Sequence, residues 1–368
     1  MAYFRDWLDL GKKTFQSLSP NDMTGLYVFE WPETKRMLIA DHRLAIEQEP
    51  RRLRRWLRIL GAIFYGLTKR LAPHRRVLFF IAQIGFYACL ISIFTSVPNP
   101  PVWVFVEIAV TFLLMTLLLA MELIDKIKIR DELVLARDLQ ASLIPKELPQ
   151  TPRYEFAAYN RIANTVGGDI YDFVPLPDGR TAILFGDASG HGMAAGLVMA
   201  VAHAAFRTQL DVDPSPAAIT SSLNRILCRT GGPRSFFSCC YVLLSPDGRF
   251  VATVAGHPQI LKFAATGEIG QRIGRGAYPL GVKNGLAWQE LRGALVDGEH
   301  LLLHSDGLSE ARNAAEKEFG YTQVEIVGSR RPGRSAQELL DDLVGELRSF
   351  MNGHPIEDDV SIAVIRKR

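Results

Sequence analysis

Two stretches in the first third of the chain are apolar almost without interruption. Val77–Val97 carries no charge over 21 positions, and Val102–Ile124 carries only Glu107 and Glu122 over 23. About 20 apolar residues cross a bilayer core as a helix. The Pro-broken segment SVPNPP separates the two, so the pattern predicts a transmembrane α-hairpin over residues 77–124. A buried helical pair in a soluble protein is the other reading of the same pattern. Neither stretch stands where a cleavable signal would.

Beyond the second stretch the apolar positions become periodic. Ile129, Leu133, Ala136, Gln140 and Leu143 follow 4-3-4-3 steps, a short coiled-coil-like stripe through which two copies of the chain could pair as a homodimer. Pro145, Pro149 and Pro152 end that helix, so residues 125–150 read as a linker helix. From about Tyr154 the texture changes to short strands: YEFAAYNRI, IYDFVPL, RTAILFGD, FFSCCYVLL, FVATVAG and ILKFAA, with PDG turns among them. Helices are expected over 194–210, 216–228 and 335–351, and a closing strand over 361–366. Strands in runs and helices in pairs predict an α+β domain of layered sheets over 151–368, rather than βαβ repeats.

Length and charge extend this picture. A chain of 368 residues has room for two or three units. Its net charge of +3 conceals a basic tract, with eight arginines and Lys69 between Arg51 and Arg76 and no acid among them. Trp56, Leu57, Leu60, Phe64 and Leu67 fall at helical spacing within it, which suits a helix lying along an anionic inner leaflet. No nucleic-acid motif accompanies the charge, so no nucleic-acid partner is expected. Lys126, Lys128 and Arg130 follow the second stretch, and basic flanks face the cytoplasm. Residues 1–76 therefore read as a cytoplasmic N-terminal region, in a multi-pass protein of the cytoplasmic (inner) membrane. Four cysteines show no metal-type spacing, and adjacent Cys239 and Cys240 should point to opposite faces of a strand as reduced thiols.

The candidate chemistry lies in acids at strand ends. The segment ILFGDASGHG lacks the spacing of a serine-hydrolase elbow, and no Lys-Ser/Thr pair makes it a phosphate loop. Asp187 is then either a helix cap or a carboxylate offered to a cation. Three further segments repeat the arrangement: VGGDIYDF (Asp169, Asp172), LLLHSDGLSEARN (Asp306, Glu310) and EDDVSIAVI (Asp358, Asp359). Two carboxylates about 4 Å apart repel by roughly 4 kcal/mol at an effective dielectric of 20. Several converging on one basin stay ionised only with cations, and hard oxygen ligands without Cys or paired His suit Mg²⁺ or Mn²⁺.

In order and spacing, VGGD…DASGHG…SDG…DDVS resembles the type 2C (PPM) metal-dependent serine/threonine protein phosphatases, in their bacterial sporulation and stress-response branch. LQASLIPKELP resembles that branch's regulatory linker, and AGHPQIL and YPLG are further matches. The resemblance covers about residues 135–368. It implies a four-layer β-sandwich flanked by helices. It also implies two Mn²⁺ or Mg²⁺ ions held by Asp169, Asp187, the Ala188 carbonyl, Asp306 and Asp358, with Asp187 bridging. Asp359, Glu310 and Asp172 would stand behind these ligands. His191 or His257 is a candidate to protonate the leaving serine oxygen, the alternative being a histidine that is packed or hydrogen-bonded within its loop. Arg161 is the candidate for the arginine with which eukaryotic relatives hold phosphate. The implied substrate is a phosphorylated regulatory protein of the anti-sigma-antagonist type. A non-catalytic scaffold and a phosphatase of small esters are the alternatives.

Overall fold

In the computed structural model, large apolar side chains are mostly exposed in one part of this chain and mostly buried in another. The structure describes residues 50–95, 101–163, 165–232, 235–274 and 276–368. The N-terminal region up to residue 49 and most of SVPNPP lie outside the described residues. The chain forms two compact units, one up to Ile127 and one from Lys128 to Arg368.

In the first unit, helix α1 (Arg52–Arg70) precedes α2 (Pro73–Thr95) and the start of α3 (Val102–Leu143). Both α2 and α3 are long and apolar enough to cross a membrane, and little of their most apolar windows is buried. Most of their large side chains face outward, which a buried pair in a soluble core does not do. They meet along a seam of small residues. A Cβ on Gly85 would stand 2.8 Å from Thr111 Oγ1, and Ala82 and Cys89 are buried on the same helix. Close backbone approach through small residues is how helices associate where lipid removes the hydrophobic drive. At the basic end, the Arg75 guanidinium pairs with Glu122 (2.5 Å) and Asp125 (2.7 Å).

The second unit is built on ten strands. Sheet A runs β1 (Tyr154–Arg161), β10 (Val360–Lys367), β9 (His300–His304), β6 (Ile260–Phe263), β7 (Ile269–Ile273). Sheet B runs β2 (Ile170–Pro175), β3 (Thr181–Ala188), β4 (Phe237–Leu244), β5 (Arg249–Ala255), β8 (Leu291–Ala294). Strand alternation sorts the side chains into three apolar layers. Tyr171, Phe173, Ile183 and Phe185 meet Leu301, Leu303 and Ile365 between the sheets. Leu184, Tyr241 and Leu243 face outward from sheet B onto helices α4 (Met193–Val212) and α5 (Pro216–Thr230). Leu302, Ile362 and Val364 face outward from sheet A. They pack on α7 (Tyr321–Ser329) and α8 (Ala336–Met351), which follow the one-turn helix α6 (Asp306–Ser309).

The fold is thus α+β in four layers, helix–sheet–sheet–helix, as the resemblance implies. Cys239 and Cys240 fall in different layers, as strand alternation requires. Helices α4, α5 and α8 stand within about two residues of their expected limits. Strands β7 and β8 and helix α7 go beyond the sequence reading. The middle of β7 (Gly270–Arg272) is exposed at the sheet edge, and β8 is never fully buried, so neither needs an apolar alternation. Helix α8 starts with a complete capping box between Ser335 and Glu338 and presents Leu339, Leu340, Leu343 and Leu347 to sheet A. Leu343 is fully buried. Leu343→Ala is expected to destabilise the chain by about 2–5 kcal/mol, measurable as a lower denaturant midpoint at unchanged slope.

Candidate metal and phosphoryl-transfer site

The acids stand at the ends of four strands. Asp169 immediately precedes β2, and Asp187 and Ala188 are the last residues of β3. Asp306 begins α6 directly after β9, and Asp358 and Asp359 lead into β10. Sheet pairing brings these ends together: β2 pairs with β3 and β10 with β9, both antiparallel.

Asp359 fastens the arrangement. Its Oδ1 accepts the Ala163 N–H and its Oδ2 the Gly168 N–H, each at 2.7 Å. Its carbonyl oxygen accepts the Ser305 hydroxyl at 3.1 Å, and that hydroxyl accepts the Ser361 N–H at 2.9 Å. One buried residue therefore ties the VGGD loop to the SDG turn. The glycines are required by contact. A Cβ on Gly168 would lie 2.7 Å from the Ala188 carbonyl oxygen and 2.8 Å from Asp187 Oδ1, and one on Gly307 would lie 2.0 Å from the Asp359 carbonyl. Gly190 and Gly192, at φ 91° and 67°, turn the loop that carries His191.

The electrostatics record how close the acids are. Asp169 is buried, and that burial, then the charge of Asp187, raises its carboxyl well above the usual range; a bond from Ser361 offsets part of this. Burial, then the charges of Asp306, Asp358 and Asp359, pushes Asp187 up to about 8. Asp358 is raised by desolvation and by Asp306 and Asp359, and the nearby His191 counteracts the rise. Glu310 is raised by desolvation and by Asp306.

Two observations test whether the set suits a divalent cation. Asp169 Oδ2 is buried with no hydrogen-bond partner, which is costly for a carboxylate unless a cation or proton completes it. The donors are all carboxylates with an adjacent backbone carbonyl, the hard-oxygen set of Mg²⁺ or Mn²⁺. Among the described residues, no three His, Cys, Asp or Glu side chains already stand together in a group able to hold an ion. The residues fit the ions by chemistry and by neighbourhood.

Other candidates fall elsewhere. Asp172 faces α4, where it binds His203 Nε2 (2.7 Å) and the Arg207 guanidinium (2.6 and 3.0 Å). That network, buried at Asp172 and His203 and half exposed at Arg207, braces β2 against the helix. His257 is buried: burial and the neighbouring His304 push it down to about 3, and its Nδ1 faces Cys240 Sγ and the Pro258 carbonyl. A neutral, enclosed imidazole is poorly placed to meet a substrate, whereas His191 is exposed. Arg161 lines a separate cavity with Arg137.

One residue carries more than its sequence pattern suggests. The Gln140 amide is buried; its Nε2 donates to the Gly167 carbonyl (2.7 Å) and its Oε1 accepts the Gly167 N–H (2.9 Å). The linker helix α3 thus grips the loop that presents Asp169. A polar residue at a core position of an apolar stripe was the available signal. Leu143 also packs against the apolar layer on the outer face of sheet B.

Comparison with known proteins bears on the same region. The family model described as Stage II sporulation protein E (SpoIIE) matches residues 177–368, more than half of the chain. The phosphoserine phosphatase RsbU of Bacillus subtilis is 22% identical over 245 residues, covering 66% of this chain and 71% of that protein. The SiaA-PP2C domain of Pseudomonas aeruginosa aligns at TM-score 0.58 with 21% identity, over 66% of this chain and 98% of that one. The PP2C phosphatase domain of SpoIIE from Bacillus subtilis, with a fragment of its regulatory domain, aligns at TM-score 0.50 with 18% identity, over 59% and 64%. These structural likenesses establish a PP2C-like fold.

The raised carboxyls set a pH dependence. A group whose folded pKa is raised adds stability below its unfolded value and loses it as pH rises through the folded one. For Asp187 the window runs from the ordinary carboxyl value of 3.8 to about 8. Without metal, the contribution of this cluster to thermal stability is expected to fall across that range. Added Mn²⁺ should restore it most at the alkaline end, as read by thermal unfolding with and without the ion.

Proposed function

Because this chain belongs to the SpoIIE family, we propose that it is a PP2C-type serine phosphatase, acting on a phosphorylated regulatory protein in partner-switching signalling. The observation that carries the reading is the convergence of Asp169, Asp187, Asp306 and Asp358, with one Asp169 oxygen buried and unpartnered. Those four carboxylates and the Ala188 carbonyl would hold two Mn²⁺ or Mg²⁺ ions. When bound, such ions supply a nucleophilic water near neutral pH and offset charge on the phosphoryl oxygens.

The protein's own groups do the rest. Asp359 keeps the Gly167–Gly168–Asp169 loop on the SDG turn, and so fixes where the phosphoryl group is met. His191, exposed on its glycine-flanked loop beside Asp358, is the group we assign to donate a proton to the departing serine oxygen. No side-chain nucleophile is called for. A scaffold without catalysis would have no use for a buried carboxylate lacking a partner, which favours the enzyme.

The N-terminal part is proposed as a membrane anchor: α2 and the first part of α3 span the bilayer and α1 lies on the inner leaflet, with residues 1–76 and 151–368 both in the cytoplasm. Residues 125–150 are proposed to form the regulatory linker. With Gln140 and Leu143 engaged by the phosphatase unit, a homodimer contact would fall on the stripe's earlier residues, Ile129, Leu133 and Ala136. Movement of α3 would then reach Asp169 through Gln140.

Manganese-dependent release of phosphate from a phosphoserine protein is the expected activity. Asp187→Asn or Asp306→Asn should each reduce it at least about a hundredfold, the scale of losing a principal electrostatic group; metal-independent turnover would contradict the assignment. Gln140→Ala removes two buried hydrogen bonds, worth about 1–3 kcal/mol together. It should weaken the apparent affinity for Mn²⁺ by roughly tenfold, read from activity against metal concentration.

A further inference from the structure

A cavity of about 400 Å³ opens between the last turns of α3 and the end of β1, lined by Arg137, Gln140, Ala141, Ile144, Asn160 and Arg161. Its two arginines come from different elements, Arg137 from the linker helix and Arg161 from the end of β1 in sheet A. Both arginines are exposed, and neither has an ion pair or side-chain hydrogen bond among the described residues. By contrast, Arg207, Arg272 and Arg330 each fork onto a carboxylate.

The other polar walls are already engaged. Gln140 is bound to Gly167, and Asn160 Nδ2 donates to Ser361 Oγ at 2.8 Å. Ile144 adds apolar surface. The donors left over are the two arginine forks, which match the oxygens of a phosphoryl group in pairs. Two like charges facing one cavity also repel until an anion joins them. The volume lies within the roughly 300–1,000 Å³ of small-molecule sites, so a phosphate has room for a small esterified group.

We propose that this cavity is a binding site for a phosphate-type oxyanion, held between Arg137 and Arg161, that ties the linker helix to the phosphatase unit. Arg137 precedes Gln140 by three residues and so lies on the same helix face. The Ile162 side chain, next to Arg161, lies 2.8 Å from where a Gly167 Cβ would stand. An anion joining the two arginines therefore reinforces the Gln140 grip on the loop leading to Asp169. The site is separate from the acid cluster, and its consequence for turnover rests on the phosphatase reading above. The anion has two sources, free orthophosphate released by turnover or a phosphoserine group.

The test uses the full-length chain in lipid nanodiscs without added metal, titrated calorimetrically with orthophosphate and with O-phosphoserine. Saturable binding to one site is expected, weakened at least tenfold by Arg137→Gln and by Arg161→Gln, partly retained by Arg137→Lys, and unchanged by Asp187→Asn. Hydrogen exchange at the Gly167 amide should slow on saturation. Equal affinities for the two probes point to free phosphate, and tighter phosphoserine binding points to the esterified group; either supports the site. Absence of saturable binding, its survival in the double glutamine variant, or its loss in Asp187→Asn overturns the proposal. No turnover is measured, so failure here is distinct from failure of the phosphatase assignment.

Discussion

Repulsion between carboxylates is the constraint around which the second unit is organised. Four strand ends carry acids that feel one another's charge, offset in part by Ser361 and His191. Asp187 feels Asp306, Asp358 and Asp359 at once, and responds by holding its proton far above the ordinary range. A cluster with that property persists only if the surrounding framework is strong enough to hold it. The buried sandwich between the two sheets, rich in Phe, Ile and Leu, provides that framework.

Asp359 shows how the framework reaches the site. It spends both carboxylate oxygens on backbone N–H groups and its carbonyl on Ser305. Hydrogen bonds to an ionised acceptor are among the stronger ones, so this residue can pin a glycine-rich loop that has little packing of its own. Placing the second acid of the DDVS pair in this supporting position separates the task of holding the loop from the one proposed for Asp358, meeting a cation. The same division appears at Asp172, whose charge is absorbed by Arg207 and His203 in bracing β2 to α4.

Much of this was legible from the residues. Long apolar stretches, the strands with buried alternation, and the four acidic segments all announce themselves, because each reflects burial or local backbone geometry. What escaped reading was decided by tertiary contact. Strands β7 and β8 lie at exposed edges and carry no alternation. Gln140 looks like a flaw in an apolar stripe until Gly167 is seen against it. Asp172 shares a segment with Asp169, three residues away. Strand geometry turns it towards α4, and it joins a different set of partners. Arg137 and Arg161 are separated by a proline-rich turn and acquire a common meaning only across a cavity.

Helix α3 runs from Val102 to Leu143 with neither glycine nor proline along its 42 residues. At about 1.5 Å per residue it is a rod of roughly 63 Å, and it lacks the usual places at which helices kink. A roll of such a helix about its own axis changes the azimuth of Gln140, and the pair of directional amide bonds to Gly167 is sensitive to azimuth. What the Gly167 loop reads of this helix is angular.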